Sequence, residues 1–153
     1  MINFSKYFVS LAGIGFSPLA PGTLGSITAI IIWYIFISFL NISYFYIFFT
    51  IIFFTSFYLT KLYLNETKKD DPSEVVIDEL IGQSIPLLFL FEFNLFEVLI
   101  AFSAFRFFDI YKIYPVNKAE EIQGSMGVIL DDIVAGIYTL VIVMSYKITF
   151  ILI

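Results

Sequence analysis

The chain has 153 residues, 60% of them hydrophobic, 20% aromatic and only 14% charged, with a formal charge of −5. Soluble domains carry about a quarter charged residues, and here residues 7 to 60 contain none, so a soluble enzyme is excluded and nothing suggests a nucleic-acid partner. Zero His and zero Cys exclude an imidazole base, a thiolate nucleophile and a His- or Cys-ligated zinc, which leaves any catalysis to carboxylates and a hard metal ion.

Residues 1–12 place Phe4, Phe8 and Leu11 on one helical stripe, with Lys6 and Ser10 off it, which predicts an N-terminal interfacial helix. A lone Lys6 and the lack of an Ala-x-Ala-type site do not fit a cleavable signal peptide. Gly13 to Ser26, GIGFSPLAPGTLGS, predicts a loop. A first span is expected from about Leu24 to Leu40, a turn at Asn41–Ser43, and a second span from about Tyr44 to Leu64. The polar segment NETKKDD, Asn65–Asp71, follows. Asp71 reads as an N-cap, with Pro72 at the first helical position and Glu74 three residues on. That helix should run to about Phe91, kinked at Pro86. After a turn at Glu92–Asn94, a fourth helix is expected over about Leu95–Ile110. A polar loop, about Tyr111–Gln123, leads to a last span over about Gly127–Tyr146. The expected fold is all-α: one integral membrane domain over residues 1–153, a polytopic bundle of about five spans, or four plus a re-entrant element.

Basic residues set the orientation. Lys6, Lys61, Lys68, Lys69, Lys112 and Lys118 fall in the N-terminal segment and near the two polar loops, whereas the other side has only Lys147. The N-terminus and both polar loops are therefore expected in the cytoplasm. On that topology Asp78 and Glu79, early in the third helix, Asp109, closing the fourth, and Asp131 and Asp132, opening the last, all fall on the cytoplasmic side. A carboxylate at the bilayer centre costs roughly 2.5–3.5 kcal/mol on insertion scales, and clustered acids persist there with a partner, usually a cation.

Four stretches carry the chemistry, each with a plainer alternative. In DPSEVVIDELIG, Asp71–Gly82, Asp78 shares a helix face with Glu74 and Gly82; acids in a first turn also simply complement the helix dipole. In FRFFDIYK, Phe105–Lys112, Arg106 and Lys112 flank Asp109 at three-residue spacing, which suits an anionic oxygen beside a metal ligand. The alternative there is an intrahelical ion pair with a snorkelling Arg. In GSMGVILDDIVAG, Gly124–Gly136, adjacent Asp131 and Asp132 repel each other with no basic residue within a turn, while Ala135 and Gly136 leave room beside them. GIGFSPLAPGTLGS feeds a helix N-terminus and can offer backbone N–H groups to a phosphate, or it is only a helix break. Glu120, in the second polar loop, is expected to be dispensable.

In this order, PLAPGTLGS, DPSEVVIDELIG, FRFFDIYK and GVILDDIVAG resemble the phosphatidylglycerophosphatase A family of bacterial membrane enzymes, from about Gly13 to Gly136. The resemblance implies a Mg²⁺-dependent, multi-pass hydrolase of the bacterial cytoplasmic membrane that takes the terminal phosphate from the phospholipid phosphatidylglycerol phosphate on the cytoplasmic side. The family's acidic positions fall on Asp78, Glu79, Asp109, Asp131 and Asp132. They are expected to be catalytic and to hold the metal, with Glu79 as ligand or general base. Thr23 and Ser26 would meet the phosphate or headgroup, and Arg106 and Lys112 would add fixed positive charge. One departure stands out: where the family usually has a Pro after the lysine of the third block, this chain has Ile113, with Pro115 two residues later. The rival readings are another lipid-phosphate phosphatase and an ion-coupled transporter built on the same acids.

Overall fold

The computed structural model describes residues 2–70 and 72–151, whose regular structure is all helix. Helix α1, Ile2–Val9, buries Val9 and exposes Phe4 and Tyr7. The chain reverses through left-handed Leu11, Ala12 and Gly13 into a 3-10 turn at Ile14–Phe16. Gly15 in that turn lies against the backbone of Glu74, where a Cβ would overlap the Glu74 carbonyl oxygen. Val76 N–H donates to the Val9 carbonyl at 2.9 Å. The N-terminal segment is thus tied to the loop that precedes α4 (Ile77–Leu87).

Helix α2, Pro21–Phe39, starts three residues earlier than the sequence predicts, with Pro21 in its first turn. Thr23 and Ser26 are therefore helical and not in a loop. Helix α3, Ile42–Thr67, is capped by the Asn41 side chain, which accepts from Ser43 N–H.

The largest departure from expectation is α4, with eleven residues where about twenty were predicted. The Asp71 N-cap lies outside the described residues, but Pro72–Val75 forms a turn closed by Val75 N–H on the Pro72 carbonyl, and Val76 is not helical. At the other end Pro86 stops the helix within a turn. The carbonyls this leaves open are met by other helices: Trp33 Nε1 donates to Leu90 O at 3.1 Å, and Tyr46 hydroxyl donates to Leu88 O at 2.9 Å. Helix α5, Leu95–Tyr111, begins where predicted, and the Asn94 side chain caps it by accepting from Phe96 and Glu97 N–H. The second polar loop contains a short helix α6, Val116–Glu120, and Gly124, at φ 77°, turns the chain into α7, Ser125–Ile151.

Among the described residues, three helices are long and apolar enough to cross a membrane: α2, α3, and residues Ser125–Thr149 of α7. Helix α4 rises only about 16 Å at 1.5 Å per residue, and the 17 residues of α5 stand at the lower end of spanning length. These two form a hairpin inserted among the longer helices, its turn packed through Phe93 on Trp33 and Tyr34 of α2. The tightest crossing is α4 on α7. A Cβ at Gly82 would overlap the Asp132 carbonyl and the Phe105 ring, and one at Gly136 would overlap the Gly82 carbonyl. Close approach needs small residues there, and it sets Asp78, one turn before Gly82, beside Asp132, one turn before Gly136.

Candidate active site

The N-termini of α2, α4 and α7 and the C-terminus of α5 surround a cavity of about 690 Å³ at one end of the bundle. Its wall includes Asp78, Glu79, Asp109, Asp131 and Asp132 together with Arg106 and Lys112. All five acids and both cations singled out from the sequence are therefore brought to one place.

They divide into two groups. Asp78, Glu79 and Asp132 offer carboxylate oxygens that all lie within 4.8 Å of one another. Asp78 and Asp132 are 8% and 3% exposed, and among the described residues no ion pair reaches any of the three. Glu79 Oε2 is buried without a hydrogen-bond partner. The other two acids face cations. Asp109 pairs with Arg106, one turn back on α5, and also lies within hydrogen-bonding reach of Asp132. Asp131 pairs with Lys112, and its second oxygen accepts Asp132 N–H at 2.9 Å. Of these seven charged groups, five acids against two cations leave three negative charges uncompensated.

The α2 N-terminus meets this cluster through Gly22, where a Cβ would run into the Glu79 carboxylate and crowd Arg106. Glycine there brings the backbone close to the acids, and Ala20 and Pro21 join the cavity wall. Ser26 is fully buried and does not line the cavity. Its hydroxyl donates to Gly22 O at 3.1 Å and accepts from Arg106 Nη1 at 3.5 Å, so it reaches the site only through the arginine. Thr23, half-buried on the same helix, is not among the lining residues.

Sequence reasoning missed the outer wall. Glu120 of α6, expected to be a bystander, accepts from Lys112 Nζ at 3.1 Å, and Glu120–Gly124 line the cavity. A five-residue helix in a polar loop carries too little hydrophobic period to be seen in the sequence. Burial alone would lower the Lys112 pKa, but hydrogen bonds and charge from Asp131 and Glu120 push it above the ordinary lysine value, so Lys112 stays a fixed cation. Outside the cavity, Glu74 Oε1 accepts from Tyr63 hydroxyl and Lys69 Nζ at 2.8 and 2.9 Å. Burial would raise the Glu74 pKa, yet the Lys69 and Tyr63 hydrogen bonds and a backbone bond hold it below the usual carboxylate range.

The family model of phosphatidylglycerophosphatase A matches residues 7–147. The chain belongs to the phosphatidylglycerophosphatase A family, and it is a phosphatase. Family members named phosphatidylglycerophosphatase A include that of Escherichia coli, 33% identical over 82% of this chain and 73% of the relative. That of Haemophilus influenzae is 33% identical over 88% and 83%. A relative from Bacteroides thetaiotaomicron, 38% identical over 86% of each chain, bears the name of a phosphatidylinositol-3-phosphatase. No solved structure matches the chain.

Proposed function

We propose that this chain is a Mg²⁺-dependent phosphatase that hydrolyses the terminal phosphate of phosphatidylglycerol phosphate at the cytoplasmic face of the bacterial inner membrane. The observation that carries the reading is the division of one cavity wall into an uncompensated carboxylate triad and two cation–carboxylate pairs. Asp78, Glu79 and Asp132 would hold the metal. An all-oxygen donor set suits a hard cation such as Mg²⁺, and the three unmatched charges fit one. When bound, a divalent cation supplies charge neutralisation at the phosphoryl oxygens.

The chain's own groups do the rest. Arg106, held by Asp109 and Ser26, and Lys112, held by Asp131 and Glu120, bind the phosphate oxygens and stabilise the charge that builds on them as the P–O bond to glycerol breaks, the bond to water oxygen forms and a proton from that water passes to the departing glycerol oxygen. The backbone at the α2 N-terminus, brought in by Gly22, adds its dipole. Asp109, touching Arg106 and Asp132, couples the two halves. Exposed Leu19, Ile110 and Tyr111 at this end of the bundle keep the acyl chains in the bilayer while the headgroup enters. The bundle is a single membrane domain in which the α4–α5 hairpin completes five crossings.

The test is phosphate release by purified protein in detergent, with phosphatidylglycerol phosphate and Mg²⁺ present or chelated. Mg²⁺-dependent release is expected, and none above background for any lipid phosphate would reject the reading. The Bacteroides relative favours one second reading, a phosphoinositide substrate. Faster turnover of phosphatidylinositol 3-phosphate in the same assay would select it.

A further inference from the structure

Among the described residues, Gln83 is the one buried side-chain amide, and this chemistry leaves it unused. It lies on α4 one turn beyond Glu79, on the helix side that faces α2, where Gly25 packs on Val76 and on Glu79 Cβ. It is fully buried, and neither Oε1 nor Nε2 has a hydrogen-bond partner. An unpaired polar side chain inside a membrane protein is costly, and the position favours any apolar residue unless the amide acts. Two neighbouring site residues also carry uncommitted buried atoms, the acceptor Glu79 Oε2 and the donor Arg106 Nε. A side-chain amide carries one acceptor oxygen and an N–H₂ donor, so it matches both at once. Leucine could serve neither.

We propose that Gln83 is a positioning residue, whose Nε2 donates to Glu79 Oε2 and whose Oε1 accepts from Arg106 Nε in the loaded site. It would thereby fix the orientation of one metal-holding carboxylate relative to one phosphate-binding cation. The inference rests on the function proposed above. Residues that orient a ligand in this way typically change metal affinity or activity by about 10–100-fold when removed.

The test is Gln83→Leu, which keeps the volume and removes the amide. Its thermal midpoint is expected to equal or exceed that of the wild type, because an unpaired buried amide is replaced by an apolar side chain. Turnover should fall at least tenfold with KM for the lipid within about twofold, and Mn²⁺ affinity, read by electron paramagnetic resonance without substrate, should weaken. Wild-type turnover and Mn²⁺ affinity in the variant would overturn the proposal. So would a fall in midpoint together with turnover, which would make the amide structural, or a loss confined to KM, which would make it a substrate contact. The Mn²⁺ measurement needs no turnover, so it separates this proposal from the choice of substrate: wild-type protein that binds Mn²⁺ but releases no phosphate rejects the phosphatase reading alone.

Discussion

Adjacent Asp131 and Asp132 look equivalent in the sequence, and the structure sends them in opposite directions. Successive residues on a helix point about 100° apart, so one carboxylate joins Asp78 and Glu79 while the other meets Lys112. Their substitutions should therefore separate. Asp132→Asn removes a charge from the triad, and both turnover and Mn²⁺ binding should fall by at least a hundredfold. Asp131→Asn leaves the triad whole but loosens Lys112. Mn²⁺ affinity should stay within a few-fold while KM for the lipid rises about tenfold, measured side by side in a binding titration and a phosphate-release assay. Equal loss of Mn²⁺ affinity in both would restore Asp131 to the metal. The sequence singled out all five acids because charge at the edge of an apolar run is conspicuous. It could not divide them, because the division depends on helix rotation and on Lys112 reaching over from α5.

At the scale of elements, the long apolar helices were legible and α4 was not. Helices α3 and α7 announce themselves through long, predominantly apolar runs, and Asn41 and Asn94 cap helices where a short polar residue meets the apolar run. The start of α4 was misplaced because Pro72 and Glu74 mimic a helix opening, whereas the Val76 N–H is taken by Val9, from a segment more than sixty residues earlier. No local signal encodes that bond. The Gly82–Gly136 contact was readable only as small residues at suitable places, yet it sets the spacing of the triad. Gly82→Ala would push a methyl group against the Asp132 carbonyl and the Phe105 ring. Overpacking of this kind costs about 1–3 kcal/mol. The thermal midpoint should drop, and Mn²⁺ affinity should weaken because α4 and α7 are forced apart below Asp78 and Asp132. An unchanged midpoint with unchanged Mn²⁺ affinity would show that the crossing relaxes without moving the acids.

For the whole molecule, the open physical question is how a hairpin with an eleven-residue helix sits in a bilayer some 30 Å thick. Helix α4 is extended by Leu88–Phe91, where the Leu88 and Leu90 carbonyls are hydrogen-bonded by Tyr46 and Trp33. Non-helical backbone at membrane depth is tolerated when other protein groups satisfy it in this way. The turn itself is polar and exposed at Glu92 and Asn94, and just beyond it Glu97 pairs with Lys147 at 3.3 Å. Charged groups at that level mark an interface and not the hydrocarbon centre, so the hairpin should reach the far surface. The chain has no cysteine, which makes single-cysteine labelling in intact cells clean. Ser43→Cys and Glu92→Cys should react with a membrane-impermeant maleimide from outside. Lys68→Cys and Lys118→Cys should react only after the inner membrane is opened, because the orientation proposed above puts the lysine-rich loops beside the cavity in the cytoplasm. Should Glu92→Cys stay unlabelled from outside while Ser43→Cys reacts, α4 and α5 would be a re-entrant hairpin and α2, α3 and α7 the only spans. Labelling of Lys68→Cys from outside would invert the molecule and overturn the cytoplasmic placement of the site.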